Sequence, residues 1–391
     1  VTDHLDPLLS LKEGHWFKLI CGASFQHLPA VRSLTLAYTL AGADCIDVAA
    51  DPAVIAAARE ALQVATKFAK DAKERGFGNT GKSPFLMVSL NDGEDPHFRK
   101  AKFDSTECPP DCHRPCERIC PARAIKFSNI QEDFSGVISE KCYGCGRCIP
   151  ACPYDIIYTS SYVSTPEAIA PLILSTGVDA VEIHTKVGRL TEFRRLWQAI
   201  SPWTERLKLV AISCPDGEGM IDYLHALYDA IAPCNCALIW QTDGRPMSGD
   251  IGDGTTLATV KLGQKVLAAK LPGYVQLAGG TNSYTVAKLR AMGLLGNGKD
   301  TGTRGHEDGG NCSSNSLSAS PRLPFSASSI SGVAYGSYAR VLLSPILEQL
   351  EAREVNDASV KTTVRLEEEP ELLWQAVGLA HSLVSQLKSQ Q

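Results

Sequence analysis

The sequence predicts an α/β fold, a TIM-like (β/α)8 barrel interrupted after its third strand by a cysteine-rich insertion. Three observations carry that expectation. Short apolar runs of strand length alternate with segments of helical periodicity along nearly the whole chain. The alternation is suspended where eight of the fourteen cysteines crowd between Cys108 and Cys152. What remains without the interruptions is about 250 residues, the usual size of such a barrel.

Taken in order, strand 17–21 precedes helix 30–40, strand 45–49 precedes helix 52–69, and strand 85–90 ends the first run. After the insertion come helix 165–175, strand 179–184, helix 190–200, strand 207–213 and helix 219–231. Strand 237–241, helix 256–269, strand 274–278, helix 283–293, strand 331–335 and helix 338–352 complete eight strands. An open doubly wound sheet shares this alternation, but no GxGxxG follows the first strand. The expected organisation is therefore barrel at 1–91, insertion at 92–160, barrel again at 161–296, and barrel closure with C-terminal helices at 330–391. Between the last two, 297–329 is rich in Gly, Ser, Asn and Asp, and is expected to be a disordered loop in which His306 and Cys312 are incidental. The final stretch, 367–387, opens Glu-Glu-Glu-Pro, and its apolar spacing at Leu372, Leu373, Val377, Leu379 and Leu383 reads as a helix docked on the barrel.

Composition narrows the function. With 44% hydrophobic and 21% charged residues in 391, the chain has a soluble globular makeup, which excludes a fibrous or disordered protein. A formal net charge of −5 gives no field for gripping nucleic acid. No apolar run approaches the roughly 18 residues of a membrane span. The chain opens at Val1 without a recognisable signal, as a processed or trimmed form would. A chain this long buries its own core without disulfide staples, so the cysteines point to a metal site in a reducing compartment.

The second cysteine set, Cys142, Cys145, Cys148 and Cys152-Pro153, has the C-x2-C-x2-C-x3-C-P spacing that holds a cubane iron–sulfur cluster, with Gly144 and Gly146 permitting the turn. The first, Cys108, Cys112, Cys116 and Cys120-Pro121, has three-residue gaps throughout and so departs from that spacing at two places. Both sets end alike, since Cys120-Pro121-Ala-Arg-Ala124-Ile125 matches Cys152-Pro153-Tyr-Asp-Ile156-Ile157. The repeat gives a bacterial-ferredoxin-like insertion with two [4Fe-4S] clusters that exchange their fourth ligands. One would take Cys108, Cys112, Cys116 and Cys152, the other Cys142, Cys145, Cys148 and Cys120. Two zinc ions are the competing occupants of eight thiolates. The three-residue gaps leave open whether the first cluster is a full cubane.

In a (β/α)8 barrel, loops after strands build the active-site face. That face collects charges set in apolar strands, Lys18, Asp47, Glu182 and His184, with Asp243 and Arg245 after the sixth strand. They are candidates for catalysis, or a satisfied ion-pair set. Gly279, Gly280, Thr281 and Asn282, with Gly336 and Ser337, sit where barrels cradle a phosphate or flavin phosphate, although tight turns use the same residues. The polar, glycine-rich stretch 242–255 has the makeup of a lid or ligand loop. Cys21, Cys214, Cys234 and Cys236 offer a redox thiol pair or plain buried packing.

Laid out this way, the chain resembles the cyanobacterial light-dependent period (LdpA) family, iron–sulfur proteins that feed redox state to the circadian clock. The resemblance rests on Lys18-Leu-Ile-Cys-Gly22, Gly42-Ala-Asp-Cys-Ile-Asp-Val-Ala-Ala-Asp-Pro52, the eight-cysteine insertion, Trp240-Gln-Thr-Asp-Gly-Arg-Pro246 and Gly279-Gly-Thr-Asn282. It covers nearly everything outside 297–329, and Asp47 to Pro52 also resembles a plastid and cyanobacterial barrel family of unknown function. It implies electron transfer or redox sensing in a cyanobacterial cytoplasm or, given the extra segment, a chloroplast stroma. The expected partners are ferredoxin or a photosynthetic or regulatory complex. Two other readings stand beside it: an oxidoreductase whose clusters feed a flavin or phosphorylated ligand in the barrel mouth, and a structural iron–sulfur subunit of a larger complex.

Overall fold

Eight strands pair side by side, all parallel, and the last returns to the first, so the sheet has no open edge. They are β1 (Trp16–Ile20), β2 (Cys45–Ala49), β3 (Phe85–Asn91), β4 (Ala180–His184), β5 (Leu209–Pro215), β6 (Ala237–Asp243), β7 (Gly273–Ala278) and β8 (Ser326–Tyr335). The computed structural model describes residues 7–22, 27–78, 83–93, 99–120, 122–127, 135–139, 141–142, 148–161, 166–244, 252, 254–295, 326–356, 359–360 and 364–388. The expectations for Pro121, Gly144, Cys145, Gly146, Arg245, His306, Cys312 and most of 297–329 fall outside these residues. Closure pairs Lys18 with Ala334 across β1 and β8, and β3 meets β4 through Asn91 and His184.

Helices cover the outer face of the barrel, which is why that face of the runs is apolar. Those helices are α1 (Leu28–Ala41), α2 (Pro52–Glu74), α3 (Pro166–Leu174), α4 (Leu190–Ile200), α5 (Met220–Ile231), α6 (Thr255–Ala268), α7 (Thr285–Ala291) and α8 (Ser337–Glu354). Local chemistry sets the boundaries. Asp51 caps α2 by accepting from the Ala53 amide at 2.8 Å, and Gly42 ends α1 at φ +99, where a Cβ would press on the Gly78 carbonyl oxygen. None of the described helices is long and apolar enough to cross a membrane.

Two boundaries differ from the sequence expectation. Strand β8 begins at Ser326, inside the stretch expected to be disordered, because ladder bonds are made by backbone and need no apolar side chains. The terminal helix, α9 (Pro370–Lys388), starts after the acidic run. Glu367 is instead paired with the buried Arg32 of α1, through Nη1 at 2.6 Å and through Nη2. Helix α9 then buries Leu372, Leu373, Val377 and Leu383 against the barrel, and Lys388 at its end bonds both carboxylate oxygens of Asp44, at 2.7 and 2.6 Å.

The barrel interior is layered. Its N-terminal end is plugged by Leu11, Trp16, Cys45, Met87, Leu209 and Ile239. Above this floor the side chains turn polar, with Lys18, Asp47, Glu182, Gln241 and Gln276 all fully or almost fully buried. Gly332 of β8 lies opposite Trp16, and a Cβ there would collide with the Trp16 carbonyl oxygen. Because backbone must move at the closing strand pair, Gly332→Ala is expected to cost about 2–3 kcal/mol, read as a lowered urea midpoint at unchanged slope.

Candidate functional site

The barrel's polar layer is organised around one ammonium. Lys18 Nζ lies 3.0 Å from Asp47 Oδ2, donates to Gln241 Oε1 at 3.0 Å and pairs with Glu182 Oε2. Gln241 Nε2 donates to Glu182 Oε1 at 2.5 Å, Gln276 Nε2 donates to Gln241 Oε1 at 2.6 Å, and Trp16 Nε1 donates to Gln276 Oε1 at 2.5 Å. The chain of donors thus runs from the apolar floor to the charged centre. Ser89 bonds Asp47 Oδ1 at 2.8 Å. His184 Nε2 stands 3.1 Å from Glu182 Oε1, with its side chain 30% exposed toward the mouth. Beside it, Asp243 accepts from the Ser213 hydroxyl. The sequence candidates Lys18, Asp47, Glu182, His184 and Asp243 are therefore brought together, whereas Gln241, Gln276 and Ser213 were missed; their signal was a polar residue inside an otherwise apolar parallel strand.

Burial and charge pull these groups in opposite directions. Burial would discharge Lys18, but attraction to Asp47 and Glu182 outweighs it and holds the ammonium above its ordinary range. For Asp47, burial outweighs Lys18, the nearby Glu182 adds repulsion, and its carboxyl rises to about 6. Burial opposes ionisation of Glu182 as well, yet Lys18 and then His184 keep it below its ordinary value. Asp243 is raised by burial, with His184 opposing.

The β7 and β8 turns are spent on their own geometry. Thr259 and Thr255 hydroxyls bond the Gly279 and Gly280 carbonyls, the latter at 2.8 Å. Thr281 bonds the Ala334 carbonyl at 2.7 Å, and Asn282 Oδ1 accepts from Thr256 and from the Tyr284 amide, both at 3.0 Å. After Gly336, Ser337 Oγ accepts from Arg340 at 3.0 Å, and the same guanidinium holds the Ile20 carbonyl at 3.1 Å. The side chains offered by sequence for a phosphate or flavin are thus engaged in shaping the turns. Cys21 and Cys214 are buried singly and pushed up to about 12 by that burial, as packing residues are. Cys234 and Cys236, by contrast, are adjacent.

The insertion leaves β3 through Asp92, which is clamped by Thr185 at 2.6 Å and by Arg189 Nε at 2.8 Å. It opens and closes on one antiparallel ladder, in which Arg99–Lys102 pairs with Tyr158–Ser161. A second ladder pairs Ile125–Lys126 with Gly136–Val137. The internal repeat is visible in the backbone. A short helix, Pro115–Ile119, runs into Cys120, and another, Cys148–Ala151, runs into Cys152. Three residues on, Arg123 and Asp155 both turn left-handed at φ 48 and 52, with amides bonded to the Cys120 and Cys152 carbonyls at 3.0 and 3.4 Å.

Six of the described cysteines share one interior. Cys116, Cys142, Cys148 and Cys152 are buried with Phe103, Ala124, Ile125, Phe127 and Ile157, and Cys108 and Cys120 pack against them. Burial raises the Cys116 thiol to about 11, and Cys152, Cys108 and Cys112 each add to the rise, which places Cys152 beside the first set across the repeat. Backbone amides point at sulfur, from Ala101 to Cys142 and from Arg114 to Cys112 at 3.4 Å, and from Ala124 to Cys120 at 3.2 Å. Soft donors, amide bonds to sulfur and an apolar cover fit an iron–sulfur group. Among the described residues no three His, Cys, Asp or Glu side chains converge as ligands of one metal ion.

Residues 108–163 match the LdpA Fe-S cluster-binding domain, and 172–386 match the light dependent period A C-terminal domain. The chain belongs to the light dependent period A family. It is 44% identical over 382 residues to light dependent period A of Synechococcus elongatus, covering 98% of this chain and 94% of that protein. Both the iron–sulfur domain and the barrel thus fall inside the family's extent.

The Asp47 shift sets the sign of a pH effect. The folded chain holds the Asp47 proton up to about pH 6, against 3.8 for the ordinary group, so it binds more protons in that window and loses stability as pH rises through it. Glu182 works the other way, and its contribution is lost only as pH falls below 4.5. Asp47→Asn is expected to remove a decline of about 2–3 kcal/mol between pH 4 and 6, measured as the difference in urea stability between the two proteins.

Proposed function

We propose that the chain is a two-cluster iron–sulfur protein that transfers electrons and senses redox state in a photosynthetic cell, passing that state to a partner. The observation that carries this reading is the duplicated helix, Cys-Pro and left-handed turn at Cys120 and Cys152, each ending on a buried isoleucine, Ile125 and Ile157. Cys108, Cys112, Cys116 and Cys152 would hold one [4Fe-4S] cluster, and Cys142, Cys145, Cys148 and Cys120 the other. When bound, such clusters supply one-electron transfer at a potential set by hydrogen bonds to sulfur, charge and solvent exposure. The protein's own part is to donate amides to Cys112, Cys120 and Cys142 and to exclude water with Phe103, Phe127 and the two isoleucines.

The relative's name, light dependent period A, supports a role in light-dependent setting of a period; the proposed partner is ferredoxin or a photosynthetic or regulatory complex. The cyanobacterial relative fits a cyanobacterial cytoplasm or a plastid stroma. A second reading has a specific observation behind it: the Lys18, Glu182 and His184 array ends on a partly exposed imidazole, the arrangement of a proton-handling site in an oxidoreductase. An organic cofactor copurifying with the protein would move the reading there.

The natively purified protein is expected to carry about eight irons and eight acid-labile sulfides. Crossed ligation makes a sharper statement, read by electron paramagnetic resonance of the reduced protein. Cys152→Ser alters the same signal as Cys112→Ser, and Cys120→Ser the same signal as Cys145→Ser. Uncrossed ligation gives the opposite pairing, and zinc without sulfide overturns the reading altogether.

A further inference from the structure

Cys234-Asn-Cys236 joins the end of α5 to the start of β6, at the N-terminal end of the barrel. Because all eight strands are parallel, this is the end opposite to the one where β3 releases the insertion. The two thiols lie outside the 108–163 cluster-binding segment. Their Sγ atoms are 3.2 Å apart, and a disulfide needs about 2.05 Å, so bond formation asks for roughly 1 Å of approach. Both are half-buried, and Pro233 and Asn235 beside them are exposed, which leaves the pair open to an incoming reagent. Cys21, Cys45 and Cys214 are instead sealed in the core.

The two sulfurs are also chemically unequal. The hydrogen bond from Cys236 outweighs burial and brings Cys234 down to about 7, while the same bond, with burial, pushes Cys236 far above its ordinary value. One thiol is thus poised as the attacking thiolate and the other keeps its proton until a mixed disulfide forms.

We propose that Cys234 and Cys236 form a redox-active dithiol, oxidised to an intramolecular disulfide by exchange with an external disulfide. The Cys234 thiolate attacks one sulfur of the disulfide RSSR, forming a mixed disulfide and releasing RS⁻. Cys236 then gives up its proton and attacks Cys234 Sγ, closing the internal bond and releasing the second RS⁻. Two thiols and RSSR become one protein disulfide and two RSH, a two-electron oxidation of the protein matched by reduction of RSSR. The site gives the protein a two-electron thiol response at the far end of the barrel, independent of the metal chemistry assigned to the insertion.

The test uses the full chain with its metal content intact, treated anaerobically with glutathione disulfide, acid-quenched, alkylated and mapped by peptide mass spectrometry. The peptide holding both residues is expected to lose both alkylation sites and 2 Da, while Cys21, Cys45 and Cys214 stay alkylated and the iron content is unchanged. In natively folded variants, checked by circular dichroism, Cys236→Ser traps glutathione on Cys234. Cys234→Ser likewise stops at a mixed disulfide on Cys236, because neither variant keeps a second sulfur to close the internal bond. Full alkylation of both cysteines in the wild-type chain after treatment overturns the dithiol, and a rapid acid quench that finds glutathione on Cys236 rather than Cys234 of the wild-type chain overturns the assignment of attacking thiol.

Discussion

An ammonium in the middle of a closed barrel has no water to solvate it, so every group around Lys18 is constrained by its charge. Asp47 and Glu182 supply the counter-charges, and Gln241 occupies a further direction. Gln241 must then be oriented, which Gln276 does, and Gln276 in turn by Trp16. Five strands thereby have an inward position fixed by one cation. Replacing such a layer by branched apolar side chains is often neutral or stabilising, so buried pairing is a poor reason for keeping it. The layer ends just beneath the mouth on the partly exposed His184, whose Nε2 stands 3.1 Å from Glu182.

The fold was legible because its signal is periodicity, which backbone geometry imposes directly. Strand β2 and helix α4 fall at their expected boundaries, since their apolar runs end sharply at Asp51-Pro52 and at Ser201-Pro202. Strand β8 starts before its apolar run because Ser326 pairs with Gly273 across an irregular stretch of ladder, through backbone groups that no side chain announces. The acidic run before α9 was taken into the helix because its partner, Arg32, lies 335 residues away in sequence.

The candidate site was legible in part. Charges in apolar strands identified Lys18, Asp47 and Glu182, but a neutral Gln241 or Gln276 carries the same cost of burial without the same alarm. Glycine-rich turns were ambiguous for a physical reason. Thr281, Asn282 and Ser337 can bond a ligand's oxygens or their own turn's, and the structure spends them on the turn. Cysteine spacing was more specific, because both Cys-Pro ends of the sequence lead into the same turn, with Arg123 and Asp155 left-handed and bonded back to the Cys120 and Cys152 carbonyls.

How the insertion meets the barrel decides what a change of charge within it can reach. The insertion is tied to β3 and α3 by its entry and exit, and these are zipped into one ladder. Lys100 sits in that ladder, 8% exposed, opposite Ser160. Its Nζ bonds the Ser139 carbonyl at 2.5 Å and lies 3.6 Å from Asp51, the residue that caps α2 at the barrel's C-terminal face. Its neighbour Ala101 donates an amide to the Cys142 sulfur. Under the proposed cluster reading, Lys100 is a buried cation through which a change of charge in the insertion would reach the barrel, in surroundings where Coulomb interactions are screened less than at the surface. Lys100 thus links the insertion to the barrel through an ion pair with the residue that caps a barrel helix.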